Sequence, residues 1–137
     1  MKSSVFIRTE VLAVGGKRHH FAEMLHLNTM TWHQISPLVQ ARGFHQFAIV
    51  YHHPGRNYYT FGGIDIMFPS ASKLERWPSY EHIFRYNKQT DVWDIPGRML
   101  GPMGRHHGIS AIFKSGKFYI FGGHSGDQVY QSYYVLL

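Results

Sequence analysis

Cysteine is absent from the 137 residues of this chain. Its absence excludes a disulfide framework, a cysteine nucleophile and metal sites built on thiolates. Glycosylation sequons are missing too, because none of Asn28, Asn57 and Asn87 has Ser or Thr two positions later. The missing sequons favour a cytoplasmic or nuclear location over a secreted one.

Long apolar runs and acidic residues are both scarce. No apolar stretch approaches the roughly 18 residues that a membrane helix needs, and the one at the N-terminus is too short for a signal peptide. Only 8 acidic residues stand against 14 Lys and Arg, so the formal net charge is +6. This charge fits either a solvated basic surface or a preference for an acidic partner. Nucleic acid is the weaker alternative, because the basic residues are scattered and form no stripe.

A repeated pattern is the main feature that is present. Short runs of β-branched, aromatic or other apolar residues each end in a glycine pair, at 11–16, 58–63 and 118–123. Such runs predict buried strands, and glycines after them permit a positive φ or a close backbone approach. The second interval between the pairs is longer than the first because residues 67–79 form an additional loop-like stretch with two prolines.

Other residues recur in a fixed order around the glycine pairs. After the first two pairs, an apolar segment reaches an Asn and a second segment begins near a Trp. Because Asn tolerates the left-handed conformation, it is expected to form the hairpin turn. An Arg opens the strand that precedes the second and the third pair. The unit is therefore four short strands, which is typical of a propeller blade. The recurring residues outside the glycine pairs are Asn28, Trp32, Arg42, Asn87, Trp93 and Arg105.

This ordered set resembles the kelch repeat. The resemblance implies an all-β fold of kelch-type β-propeller blades, about three four-stranded antiparallel blades with the last one incomplete. The expected blades cover about 1–38, about 39–98 with the insertion 67–79, and about 99–137 without its last strand. The first blade departs from the pattern, since it has no opening Arg and Leu27 takes its tyrosine position.

Three blades do not close a ring, because propellers have at least four. Two explanations are open: the chain is a segment of a longer propeller, or copies associate to complete a ring. A third explanation is a solitary, open arc of three blades. In an open stack, Val129–Leu136, the third strand of the last blade, is expected to be an exposed edge.

The glycine pairs, the tryptophans and a tyrosine are expected to be structural. The glycines lack the spacing of phosphate-binding loops. The tryptophans are expected to pack between neighbouring blades, each with one partner for its N–H. These structural positions are Gly15, Gly16, Gly62, Gly63, Gly122, Gly123, Trp32, Trp93 and Tyr86.

Arg42 and Arg105 are the leading candidates for partner binding. By the resemblance, the Arg that opens a blade lines the mouth of the central channel and holds acidic motifs in several kelch proteins. A guanidinium suits this role because its planar fork donates two parallel hydrogen bonds to a carboxylate. The alternative is that each Arg satisfies carbonyl groups of its own blade.

The loops that follow the glycine pairs are expected on the same face as the two arginines. The insertion 67–79 carries Phe68 and Trp77, which resemble exposed anchors for a partner. The alternative is that the insertion is only a spacer. The remaining candidates for partner binding are Lys17, Arg18, His45, Asp65, His106, His124 and Asp127.

The expected function is protein–protein interaction, of the substrate-adaptor or scaffold type, without catalysis, metal or cofactor. Kelch proteins often serve ubiquitin ligases or the cytoskeleton. The 11 histidines include adjacent pairs, which point to opposite faces of a strand and do not converge on one metal. The alternatives are a kelch-type enzyme resembling sugar epimerases and purely structural blades of a larger propeller.

Overall fold

The computed structural model describes residues 3–7, 9–15, 21–38, 44–65, 82–98, 109–125, 128–129 and 133–136. Within these ranges all regular structure is β-strand, and there is no helix. The expectation of an all-β fold with antiparallel sheets is confirmed.

Two complete four-stranded sheets follow one another along the chain. Each is antiparallel, with its strands side by side in chain order. The first sheet contains β1 (Ser3–Ile7), β2 (Glu10–Val14), β3 (Ala22–His26) and β4 (Thr31–Ile35). The second sheet contains β5 (Phe44–His52), β6 (Asn57–Asp65), β7 (His82–Asn87) and β8 (Val92–Arg98).

The third sheet has three described strands. They are β9 (Ser110–Lys114), β10 (Lys117–Phe121) and β13 (Tyr133–Leu136), with β10 in the centre. A short hairpin of β11 (His124–Ser125) and β12 (Gln128–Val129) lies between β10 and β13 in the chain. The expected edge strand Val129–Leu136 is therefore shorter, because Val129 pairs within the hairpin instead.

The three sheets pack in chain order, with the second sheet in the middle. Their first strands lie close together, β1 beside β5 and β5 beside β9. We call the side of a sheet that faces the next sheet its forward face, and the side that faces the preceding sheet its rear face. Because side chains alternate along a strand, each strand of the second sheet contributes to both faces.

The first interface joins the forward face of the first sheet to the rear face of the second. Apolar side chains from β2 and β3 pack there against aromatic residues of the second sheet. Leu38 from the connection after β4 is also fully buried in it. The buried members are Leu12, Val14, Ala22, Met24, Leu38, Phe47, Ile49, Tyr58, Phe84, Tyr86 and Trp93.

The second interface joins the forward face of the second sheet to the rear face of the third. Phe61 is its largest buried side chain, and Tyr59 and Phe118 pack against it. The other fully buried members are Ala48, Val50, Ile109 and Ile120. Both faces of the second sheet are thus covered, which makes it the most enclosed part of the described chain.

The hairpin turns differ in detail from the sequence-based expectation. At the turns 27–30 and 88–91 the left-handed residues are Met30 and Asp91, with φ of 52° and 56°, rather than Asn28 and Asn87. Asn87 instead accepts hydrogen bonds from the N–H groups of the turn, while Asn28 lies inside its own turn. Leu25 pairs with Trp32 as Tyr86 pairs with Trp93, so the tyrosine position of the first sheet is Leu25, not Leu27.

The two tryptophans behave differently. Trp93 is buried in the first interface and its indole N–H donates to the carbonyl oxygen of Ser36 at 2.7 Å, as expected. Within the described residues Trp32 is not packed between sheets, since 53% of it is exposed. Trp32 lies on the rear face of the first sheet, and no sheet within the described ranges covers that face.

Candidate functional site

The two ends of the sheets are built differently. One end, here called the turn end, has only the short connections 8–9, 27–30, 53–56, 88–91 and 115–116. The other end, here called the Gly-Gly end, has the long connections 15–21, 36–43, 66–81, 99–109 and 122–132. Five glycines at this end (Gly15, Gly62, Gly63, Gly122 and Gly123) have φ between 63° and 97°, where a side chain would be strained.

The turn ends of adjacent sheets meet. Glu10 at the turn end of the first sheet contacts Tyr58 and Lys88 of the second. The ring of His52 at the turn end of the second sheet lies 4.6 Å from the ring of Phe113 in the third, measured between centroids. The Gly-Gly ends of the three sheets therefore lie together on the opposite side of the stack.

Three of the predicted site residues have a described backbone. His45 pairs with Ile64, and the neighbouring Asp65 pairs with Phe44, so His45 and Asp65 occupy adjacent strands at the Gly-Gly end. His124 opens β11 directly after its glycine pair. The backbones of His45 and Asp65 thus lie on neighbouring strands, but their register positions belong to opposite faces of the sheet.

The other predicted site residues lie outside the described residues, as does Gly16. Each of them lies in a connection between two strands, and the ends of those strands that the connection joins are at the Gly-Gly end. For 16–20 the flanking residues are tied together, because the Gly15 N–H donates to the Phe21 carbonyl oxygen at 2.9 Å. The residues concerned are Lys17, Arg18, Arg42, Phe68, Trp77, Arg105, His106 and Asp127.

The connection that leads to Arg42 is anchored at its start. The Ser36 N–H donates to Asp91 Oδ1 at 2.9 Å, and Ser36 Oγ donates to the Asp91 carbonyl oxygen at 2.6 Å. The Tyr86 hydroxyl donates to the same carboxylate at 2.7 Å. The Ser36 N–H and the Tyr86 hydroxyl hold the pKa of Asp91 below its usual value. The start of this connection is therefore held against the second sheet.

A buried polar cluster links the first two sheets and was not predicted from the sequence. Glu10 is buried, and its Oε1 accepts a hydrogen bond from the Tyr58 hydroxyl at 2.6 Å. Its Oε2 accepts one from Lys88 Nζ at 2.6 Å. Both carboxylate oxygens are engaged within the protein, so the cluster acts as a cross-link between the sheets. Its members are far apart in sequence, and no motif relates them.

The environment of the cluster favours the ionised carboxylate. Burial alone would raise the pKa of Glu10, but hydrogen bonds from Lys88 and Tyr58, with the charge of Lys88, outweigh burial and lower it. Burial also raises the pKa of Tyr58, and the hydrogen bond to Glu10 raises it further. The cluster thus holds one proton on Tyr58 and one negative charge on Glu10.

The described part of the chain lacks both a cluster of metal ligands and a membrane-spanning helix. It contains no group of three or more His, Asp or Glu side chains arranged to hold a metal ion. It also contains no helix that is long and apolar enough to cross a membrane. Among the histidines there, His52 accepts the Gly55 N–H at Nδ1 over 3.2 Å, and the rings of His26 and His33 meet edge to face.

Comparison with known proteins gives a match of fold. No family model matches the chain, and no curated protein matches it. Among solved structures, the chain is similar to YjhT with a TM-score of 0.72 and 19% sequence identity. The match covers 92% of this chain and 34% of that one, so the chain spans about a third of the length of YjhT. At this identity the likeness concerns the fold alone.

Proposed function

We propose that the chain is a segment of a kelch-type β-propeller that binds an acidic protein partner at its Gly-Gly end. One observation carries the proposal. All eleven residues singled out as partner-binding candidates belong to connections or strand ends at that end of their sheets, and none belongs to a turn end. The antiparallel order of the strands brings these alternate connections to one end of the stack.

The construction of the stack favours binding at its ends. The second sheet is covered on both faces, so its connections are the part that it can offer to a partner. Binding residues are commonly carried on loops that a rigid scaffold holds in position. The hydrogen bonds of Ser36 to Asp91 supply such a fixed point before Arg42.

The charge of the chain favours an acidic partner. The net charge of +6 attracts a negatively charged protein over distance, and this attraction weakens as salt is added. In the proposal, Arg42 and Arg105 each bind a carboxylate of the partner with two hydrogen bonds. His45, His106 and the loop residues contribute further contacts around the two arginines.

Peptides selected from a random phage-displayed library provide the test. The selected peptides are expected to be rich in Asp and Glu, and labelled copies are titrated by fluorescence polarisation. The double variant Arg42→Ala/Arg105→Ala should raise Kd at least about tenfold, since a hydrogen bond to a charged group contributes about 1.5–3 kcal/mol.

The matched control removes two positive charges at the turn end. Lys114→Ala/Lys117→Ala lowers the net charge by the same amount, at exposed positions beside the turn 115–116. Its Kd should stay within about threefold of the wild-type value, because only long-range attraction is lost. Equal losses in the two double variants, or unchanged affinity in the arginine variant, would contradict the proposal.

A further inference from the structure

Trp93 and Tyr86 form a close aromatic pair inside the first interface. They are cross-strand partners on β8 and β7, and their ring centroids lie 5.0 Å apart. Both side chains are buried, Trp93 with 6% and Tyr86 with 2% of its surface exposed. Electron transfer between rings in such near contact is fast, so the two rings are coupled for one-electron chemistry.

The polar groups of the two rings donate to acceptors of very different basicity. The indole N–H of Trp93 donates to the Ser36 carbonyl oxygen at 2.7 Å, and the Tyr86 hydroxyl donates to Asp91 Oδ1 at 2.7 Å. A peptide carbonyl is too weak a base to take the proton of an indole. A carboxylate within hydrogen-bond reach of a phenol is placed to take its proton.

The carboxylate of Asp91 is ready to act as this base. The Ser36 N–H and the Tyr86 hydroxyl hold the pKa of Asp91 below its usual value, so it is ionised at neutral pH. Its side chain is also exposed, so a proton that it accepts can pass on to water.

These contacts determine where a one-electron oxidation comes to rest. An indole that loses an electron at this position keeps its N–H proton and remains a strong oxidant. A phenol that loses an electron and its proton together becomes a neutral radical, which is the more stable product. The electron therefore moves from Tyr86 to the oxidised Trp93.

We propose that Tyr86 and Asp91 form a protective relay that clears one-electron oxidation from Trp93. Light or a radical oxidant removes one electron from the indole. Tyr86 returns one electron to the indole, and its phenolic proton moves along the hydrogen bond to Asp91. The products are neutral Trp93, the Tyr86 phenoxyl radical and a protonated Asp91. A soluble thiol then restores the phenol by donating a hydrogen atom, and Asp91 releases its proton to water. The relay is independent of the acidic partner.

Trp32 is the matched control within the same chain. It has the register position of Trp93 one sheet earlier, but it pairs with Leu25 instead of a tyrosine. Oxidation of Trp32 should therefore stay on its own indole.

Laser flash photolysis tests the transfer, at a wavelength that indole absorbs and phenol does not. In Trp32→Phe/Trp77→Phe, where Trp93 is the sole tryptophan, the absorption of the indole radical should decay while that of a tyrosyl radical grows. The two rates should agree and should not depend on protein concentration. Adding Tyr86→Phe should abolish the growth. Adding Asp91→Asn should slow it, since Asn tolerates the φ of 56° but is too weak a base. Trp77→Phe/Trp93→Phe, which keeps Trp32, should show no growth.

Continuous illumination in air, with a thiol present, tests the protection itself. Peptide mass spectrometry should find more oxidised Trp93 in Tyr86→Phe than in the wild type, and equally oxidised Trp32 in both. All variants should retain the far-ultraviolet circular dichroism of the folded chain. The proposal would be overturned by a Trp93 radical that yields no tyrosyl radical, by growth that survives Tyr86→Phe or is unchanged in Asp91→Asn, by equal growth from Trp32, or by equal oxidation of Trp93 with and without the Tyr86 hydroxyl.

Discussion

Replacing Lys88 by methionine should destabilise the chain in a pH-dependent way. The substitution keeps a long side chain but removes the cation that hydrogen-bonds the buried Glu10 carboxylate. A hydrogen bond to a charged group contributes about 1.5–3 kcal/mol, and the 45% exposure of the Lys88 side chain places this one in the lower part of that range. We expect a loss of about 2 kcal/mol in the free energy of unfolding at neutral pH.

The pH dependence follows from the pKa of Glu10. In the wild type this pKa lies below its unfolded value, so the stabilisation is present above the unfolded pKa and is lost as the pH falls through the folded one. Without Lys88, burial raises the pKa of Glu10. Protonation of Glu10 in acid then removes the buried charge and so reduces the destabilisation of the variant. The difference between wild type and variant should begin to shrink as the pH falls below about 4.3, the ordinary pKa of a glutamate, and should vanish only below the lowered pKa of Glu10 in the wild type.

Urea unfolding followed by circular dichroism at neutral and acidic pH measures both effects. Lys114→Met is the control, because Lys114 is exposed and its loss should cost no more than about 0.5 kcal/mol. A Lys88→Met variant as stable as this control at neutral pH would refute the role of the ion pair. An equal loss at both pH values would refute the charge on Glu10 as its cause.

Two further pairs of variants test the packing and the turns by the same urea assay. Trp93→Phe should cost about 2–3 kcal/mol, because it removes the N–H bond to Ser36 and leaves a cavity, while Trp32→Phe should change stability by less than about 0.5 kcal/mol. Similar costs would contradict the assigned burial. Gly116→Ala should cost about 1 kcal/mol, because φ is 81° there. Gly97→Ala should be nearly neutral, since its φ is not positive and a Cβ would have no neighbour within 4 Å; a larger loss at Gly97 would contradict this difference.

Strand content was predictable because the local pattern determines it. The runs before the glycine pairs form β2, β6 and β10, although β6 continues through its pair to Asp65. The position of each Trp on a fourth strand was also predictable. Exposure was not: Trp32 and Trp93 share one register position, and only Trp93 has a sheet packed against its face.

The contacts between sheets could not be predicted from the sequence. Glu10 and Lys88 lie in different sheets, and their pairing depends on how the two sheets stack. Predicting that the candidate loop residues share one end needed less information than predicting contacts between sheets. Antiparallel strands of known order bring alternate connections to the same end. The roles of Arg42 and Arg105 rest on the kelch resemblance and stay a prediction.

Mapping the bound peptide on the chain tests the central claim most directly. A titration of the isotope-labelled chain with a selected acidic peptide is followed by amide chemical shifts in NMR spectra. The largest changes should lie at Gly15, Gly63, Asp65 and Gly122, at the Gly-Gly end. Changes centred instead on the turns 27–30, 53–56, 88–91 and 115–116 would contradict binding at that end.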